Sequence, residues 1–137
     1  MAKPIYHFLH ADDQVFVTYM FMNVLNATCK DKPYEIKCQS VINGMKFLDF
    51  WKTGIYRAGV IDYDMESDFT GLETLERLIV GEKYSKDNIC MWSSCFDYPK
   101  MQRLSALGIP HFEKPKSAAV MSHVVEIFDR FHSKAIN

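Results

Sequence analysis

Five short apolar runs, each followed by a longer amphipathic stretch, constrain the fold of this 137-residue chain more than any other feature. The runs are Ile5–Leu9, Tyr34–Cys38, Gly59–Tyr63, Asn88–Trp92 and His111–Phe112 with its flanks. Strand-sized apolar runs alternating with helix-sized amphipathic ones are the pattern of βα units and a parallel sheet. The expected helices span about Gln14–Ala27, Asn43–Trp51, Thr70–Val80, Pro99–Leu107 and Ser117–Lys134. Their ends carry chemical punctuation. Thr70 with Glu73 three residues on has capping-box spacing. Pro99 falls in a first turn after Asp97, and Gly108 is placed to stop the helix before it. Val120, Val124, Phe128 and Phe131 recur at helical spacing and are expected to face the sheet.

Composition narrows the class of partner. Hydrophobic residues make up 48% and charged residues 24%, ordinary for a globular protein, and the formal net charge of −1 favours neither nucleic acid nor an anionic membrane. No apolar stretch approaches the roughly 20 residues of a membrane span, and the N-terminus meets charge too early for a signal peptide. Cys29, Cys38, Cys90 and Cys95 form no CxxC pair and have no accompanying His spacing, so free thiols in a reducing cytosol are expected and zinc is not. The sequence shows no linker, repeat or low-complexity tract. One domain over 1–137 is expected, with no output domain attached.

Acidic residues collect where strands end. The first strand runs into Asp12 and Asp13, and the third into Asp62, with Asp64, Glu66 and Asp68 at alternate positions beyond. In a doubly wound sheet of order 2-1-3-4-5, strands 1 and 3 are neighbours, and ligands bind in the crevice at their C-terminal ends. That order belongs to the class and does not follow from these residues. If it holds, Asp12, Asp13 and Asp62 converge. Two unit charges about 4 Å apart repel by about 4 kcal/mol at an effective dielectric near 20, so such a cluster needs compensation. Lys114, after the fifth strand, brings a formal −3 to −2, and a divalent cation would neutralise the rest. Oxygen ligation by few carboxylates is what Mg2+ accepts. Taken singly, an Asp-Asp after a strand reads as a helix cap, a Lys-Pro as a loop, and Ser93 as a cap. The joint placement of all of them at one sheet edge is far more specific.

The stretches LHADD (9–13), VIDYDM (60–65) followed by TGLE (70–73), MWSS (91–94) and HFEKP (111–115) resemble a response-regulator receiver domain over essentially the whole chain. The resemblance implies a CheY-like, flavodoxin-like α/β fold of five βα units. It implies that Asp62 accepts a phosphoryl group from a histidine kinase or histidine phosphotransfer protein. Asp12 and Asp13 would bind Mg2+ with Asp62, and Asp64 would lend its backbone carbonyl. Ser93 matches the switch hydroxyl, Lys114 the lysine that contacts phosphoryl oxygens, and Pro115 a proline often cis. His111 stands where an aromatic switch residue is typical. The protein would then be a stand-alone cytoplasmic switch, with only self-phosphoryl transfer and slow autodephosphorylation as activity. The fourth helix, fifth strand and fifth helix would meet a downstream protein or a second copy.

The sequence also departs from the pattern. Glu66 stands where the family usually has Pro after Met65, and the spacing to Gly71 is one residue longer than common. Glu66 and Asp68 are expected to face solvent. Residues 15–22 are apolar nearly all round, more than a solvated helix needs. Phe16, Tyr19, Met20 and Asn23 are therefore candidates for docking the phosphoryl donor. Two rival functions are a non-phosphorylated interaction module and a haloacid-dehalogenase-type phosphatase, whose DxD start Asp62-Tyr63-Asp64 matches. That motif follows the first strand in such phosphatases, whereas two βα units precede it here.

Overall fold

The alternating runs are realised as five βα units in the computed structural model, which describes residues 2–65, 69–94 and 96–136. In chain order these are β1 (Ile5–Ala11), α1 (Val15–Thr28), β2 (Glu35–Val41), α2 (Gly44–Trp51), β3 (Tyr56–Ile61), α3 (Gly71–Glu76), β4 (Ile89–Ser93), α4 (Tyr98–Leu107), β5 (His111–Glu113) and α5 (Ala118–Ala135). The strands are parallel and lie in the order β2-β1-β3-β4-β5.

Successive strand residues point to opposite faces, and that alternation builds two cores. Phe8, Val60 and Cys90 join Phe21, Leu25, Val124 and Phe128 under α1 and α5. Their chain neighbours Leu9, Ile61 and Met91 join Phe47, Leu72, Leu75 and Leu104 under α2, α3 and α4. Central strands covered on both faces are mostly apolar, which is why β1, β3 and β4 stood out as apolar runs despite His7, His10 and Arg57.

Strand limits differ from the sequence expectation. β1 extends to Ala11, β2 runs on through Gln39, Ser40 and Val41, and β3 starts at Tyr56 and ends before Asp62. Backbone pairing continues wherever a neighbouring strand lies alongside, as Leu9 with Gln39 and His10 with Ser40 do here. On an edge strand that pairing needs no apolar side chain. The third helix also differs. It is α-helical only to Glu76 and continues as a π-helical turn, Arg77–Gly81. Apolar periodicity reports the buried face, here Leu72, Leu75 and Leu78, and does not separate i→i+4 from i→i+5 bonding.

The predicted caps are present. The Thr70 hydroxyl accepts from the Glu73 N–H at 3.1 Å, and the Glu73 carboxylate accepts from the Thr70 N–H at 3.3 Å. Asp97 accepts from the Lys100 N–H at 2.9 Å, and Gly108 closes α4 at φ 72°. Val120, Val124 and Phe128 are buried and Phe131 packs against them. Cys29, Cys38 and Cys90 are free thiols, and Cys95 lies outside the described residues. Thr70→Ala removes one arm of the capping box and leaves an orphan N–H. It should destabilise the domain by about 1 kcal/mol, a fall in Tm of about 3–4 °C by thermal denaturation.

Candidate functional site

The sheet register delivers the acids to one place. Ala11 pairs with Ile61, so Asp12 and Asp62 leave neighbouring strands at the same level. Backbone bonds hold them there: the Asp62 N–H donates to Ala11 O at 2.9 Å, and the Asp12 N–H to Val41 O at 3.0 Å. Asp12 and Asp62 are buried and Asp13 half-buried, and one carboxylate oxygen from each lies within 4.8 Å of the others.

Lys114 and Ser93 reach the same cluster from the far side. The register aligns Ser93 with Glu113, and the Lys114 N–H donates to Ser93 O at 2.9 Å. The Lys114 ammonium donates to Asp12 Oδ2 at 2.6 Å and lies 3.4 Å from Asp62 Oδ2. The Ser93 hydroxyl hydrogen-bonds the Asp62 carboxylate, and the Tyr63 N–H donates to Asp62 Oδ1 at 2.8 Å. The Lys114–Pro115 peptide is cis, as the resemblance implies.

Burial pushes the Asp62 carboxyl above its ordinary value, and the Asp12 carboxylate pushes it further. Lys114 and the Ser93 hydrogen bond pull the other way without winning. The cluster is thus under-neutralised: three carboxylates against one ammonium leave a formal −2. An all-oxygen acidic donor set with that deficit suits a hard divalent cation.

Five sequence-predicted residues, Asp12, Asp13, Asp62, Ser93 and Lys114, are therefore together. Asp64 is exposed on the loop beyond Asp62, and Glu66 and Asp68 lie outside the described residues. His111 is half-buried against Phe96, with ring centroids 5.1 Å apart. Phe16, Tyr19 and Met20 stand outside the cluster on α1, 73%, 63% and 50% exposed, and Asn23 is exposed as well. A groove of about 440 Å³ runs from Phe16 and Met20 past Trp92 to Lys114 and Pro115.

Other contributors had no clear mark in the sequence. Gly71 sits so close to the end of β3 that a Cβ there would collide with the Asp62 carbonyl oxygen, and its N–H donates to Tyr63 O at 2.7 Å. A glycine directly after a helix cap was the available signal. Lys100 on α4 lies 4.0 Å from the Tyr63 ring centroid, tying α4 to the residue after Asp62. His10 is fully buried among Phe8, Phe21 and Trp92, and among the described residues neither of its ring nitrogens has a hydrogen-bond partner. Burial, then the nearby Lys114 charge, lowers its pKa to about 3, so the ring is neutral.

A five-stranded parallel sheet of order 2-1-3-4-5 flanked by five helices is the flavodoxin-like fold of CheY-like response-regulator receiver domains. Among solved structures, the chain is similar to the chemotaxis protein CheY4 of Vibrio cholerae, at 20% identity and TM-score 0.64, covering 92% of this chain and 98% of that one. A CheY-like receiver domain protein from Methanospirillum hungatei JF-1 superposes at TM-score 0.72 with 14% identity, covering 95% and 98%. The receiver domain of Saccharomyces cerevisiae Ssk1, solved with the histidine phosphotransfer protein Ypd1, matches at TM-score 0.63 and 16% identity, covering 89% and 87%. No protein-family model and no curated protein matches the sequence. At these identities the likeness is one of fold.

Proposed function

We propose that the chain is a phosphorelay receiver that takes a phosphoryl group from a phosphohistidine onto Asp62. The observation that carries this reading is the convergence of three carboxylates within 4.8 Å, two of them bridged by Lys114, at the C-terminal edge of the sheet. The fold supports it, because this crevice is where doubly wound sheets bind ligands.

Asp12, Asp13 and Asp62, with the Asp64 backbone carbonyl, would hold Mg2+, which when bound offsets charge on phosphoryl oxygens. The Tyr63 N–H and the Ser93 hydroxyl orient the Asp62 carboxylate. Its oxygen forms the new O–P bond as the N–P bond of the donor breaks, and the electron pair stays on the donor imidazole. The product carries about −2 of charge where the carboxylate carried −1, with three phosphoryl acceptor oxygens, which attract the Lys114 ammonium from Asp12 and the Ser93 hydroxyl. Movement of Ser93 passes to α4 and β5 through the neighbouring contacts, including His111 on Phe96. The exposed α4 residues Tyr98 and Met101 mark a face for a downstream protein or a second copy. The protein is a switch, not a turnover enzyme, and we place it in the cytoplasm. Among the described residues no helix is long and apolar enough to cross a membrane.

The phosphoryl donor protein docks on the exposed apolar face of α1, beside Lys114. Incubation with acetyl phosphate should give an adduct of about 80 Da by intact mass, present with Mg2+ and absent with chelator. No adduct under either condition would reject the acceptor role. Phe16→Ala with Met20→Ala should slow transfer from a phosphohistidine protein by about tenfold or more while sparing acetyl phosphate labelling. Equal loss from both donors would reject the docking face.

A further inference from the structure

A second concave site lies at the opposite edge of the sheet from the acids. It is a cleft of about 470 Å³ between the N-terminal end of β4, the turn into β5, and α5. Pro110 and Phe131 supply apolar lining, over a floor formed by the buried Ile89 and Ile127. Lys86, Arg130 and Lys134 supply three cations, against the single carboxylate of Asp87. The whole chain carries 16 Lys and Arg against 17 Asp and Glu, so this three-to-one excess is local.

The cations are brought in by two separate elements. Ile127, Arg130, Phe131 and Lys134 recur at i, i+3, i+4 and i+7, which puts cations and apolar side chains on one face of α5. Lys86 comes from the turn before β4, where its side chain lies over Gly108 so closely that a Cβ there would collide with its Nζ. Among the described residues neither Lys86 nor Lys134 has an ion-pair partner, and Arg130 has only Glu126, at 3.9 Å on the outside of the helix. Like charges gathered with so few partners repel, and an anion between them relieves that repulsion.

The cleft is far larger than inorganic phosphate needs and lies in the range of small-molecule sites. We propose that it binds a phosphorylated small molecule of nucleotide size, with the phosphates on Lys86, Arg130 and Lys134 and the organic part against Pro110 and Phe131. β4 runs from Ile89 in this cleft to Ser93 in the acid cluster, about 13 Å along the strand. The two sites are separate, and this one does not depend on phosphoryl transfer to Asp62.

Calorimetric titration with ATP and GTP, in chelator so that Mg2+ does not link the nucleotide to the acids, tests the assignment. At least one should bind with one-to-one stoichiometry, about tenfold or more tighter than tripolyphosphate. Lys86→Ala with Lys134→Ala, both exposed positions, should weaken that binding by about tenfold or more with Tm unchanged. Asp62→Asn should bind as wild type does. The proposal is overturned if neither nucleotide binds at millimolar concentration, if tripolyphosphate binds as tightly, or if the double lysine variant keeps wild-type affinity.

Discussion

Asp62→Asn is expected to abolish the Mg2+-dependent adduct outright while making the metal-free protein more stable than wild type. The first half follows from the proposed chemistry, because an amide oxygen is a poor nucleophile toward phosphorus and the proposal gives the other acids to the metal. The second half follows from the electrostatics. Burial, and then the Asp12 carboxylate, raise the Asp62 pKa, so the ionised form is disfavoured in the folded state. The sign of the pH dependence is determined by that direction. The penalty is full above the raised folded pKa. It fades as pH falls through that value and is gone below the ordinary value of 3.8. Asparagine removes the charge, so the variant should be more stable than wild type at neutral pH, read as a higher Tm. Thermal denaturation in chelator at neutral and acidic pH reads this directly, and the difference should close toward the acid end. A variant that still accepts phosphoryl at the wild-type level, or is less stable at neutral pH, would contradict the site.

Lys114→Met should have the opposite sign on stability and a large effect on both readouts. The ammonium sits 2.6 Å from Asp12 Oδ2 and 3.4 Å from Asp62 Oδ2, and both side chains are nearly inaccessible. Removing one partner of a buried ion pair costs about 3–5 kcal/mol, because the remaining charge is left buried and unpaired. In chelator that is a fall of about 10–15 °C in Tm. Millimolar Mg2+ should return part of the loss, since an ion bound by the folded state alone stabilises it by mass action. Labelling by acetyl phosphate should fall by about 10²–10³-fold, the scale of losing one preorganised charge at a reacting group. Pairing Lys114→Met with Asp12→Asn should recover stability, because the unpaired acid is then gone. A loss below about 1 kcal/mol, with no recovery in the pair, would mean that Lys114 does not hold the acids.

Much of the site was legible in the sequence, though only as a set and not one residue at a time. Asp12, Asp13, Asp62, Ser93 and Lys114 each follow an apolar run, and a doubly wound sheet puts all such positions on one edge. The helix ends were equally readable at Thr70, Asp97 and Gly108, because a cap is a contact among residues three or four apart. Strand limits were not, since Gln39 and Ser40 pair through backbone atoms that carry no side-chain signature. Nor was the role of Gly71, whose missing Cβ matters only because the Asp62 carbonyl is pressed against it. His10 reads as polar in the sequence and is fully buried, a consequence of Phe21 and Trp92 closing over it from α1 and β4.

The amino-acid order by itself determined which segments are strands and helices, where the caps at Thr70, Asp97 and Gly108 fall, and which side chains have the chemistry for metal and phosphoryl contact. These depend on periodicity and caps, interactions within about a turn of the chain. Tertiary structure alone decided that Ala11 lies beside Ile61, that Lys114 bridges Asp62 and an Asp12 that is 102 positions away, and that three cations meet in a cleft at the other edge. The reason is range. Local preferences act over a few residues, whereas the distances that set charge neutralisation are fixed by strand order and by two cores packed on opposite faces of one sheet.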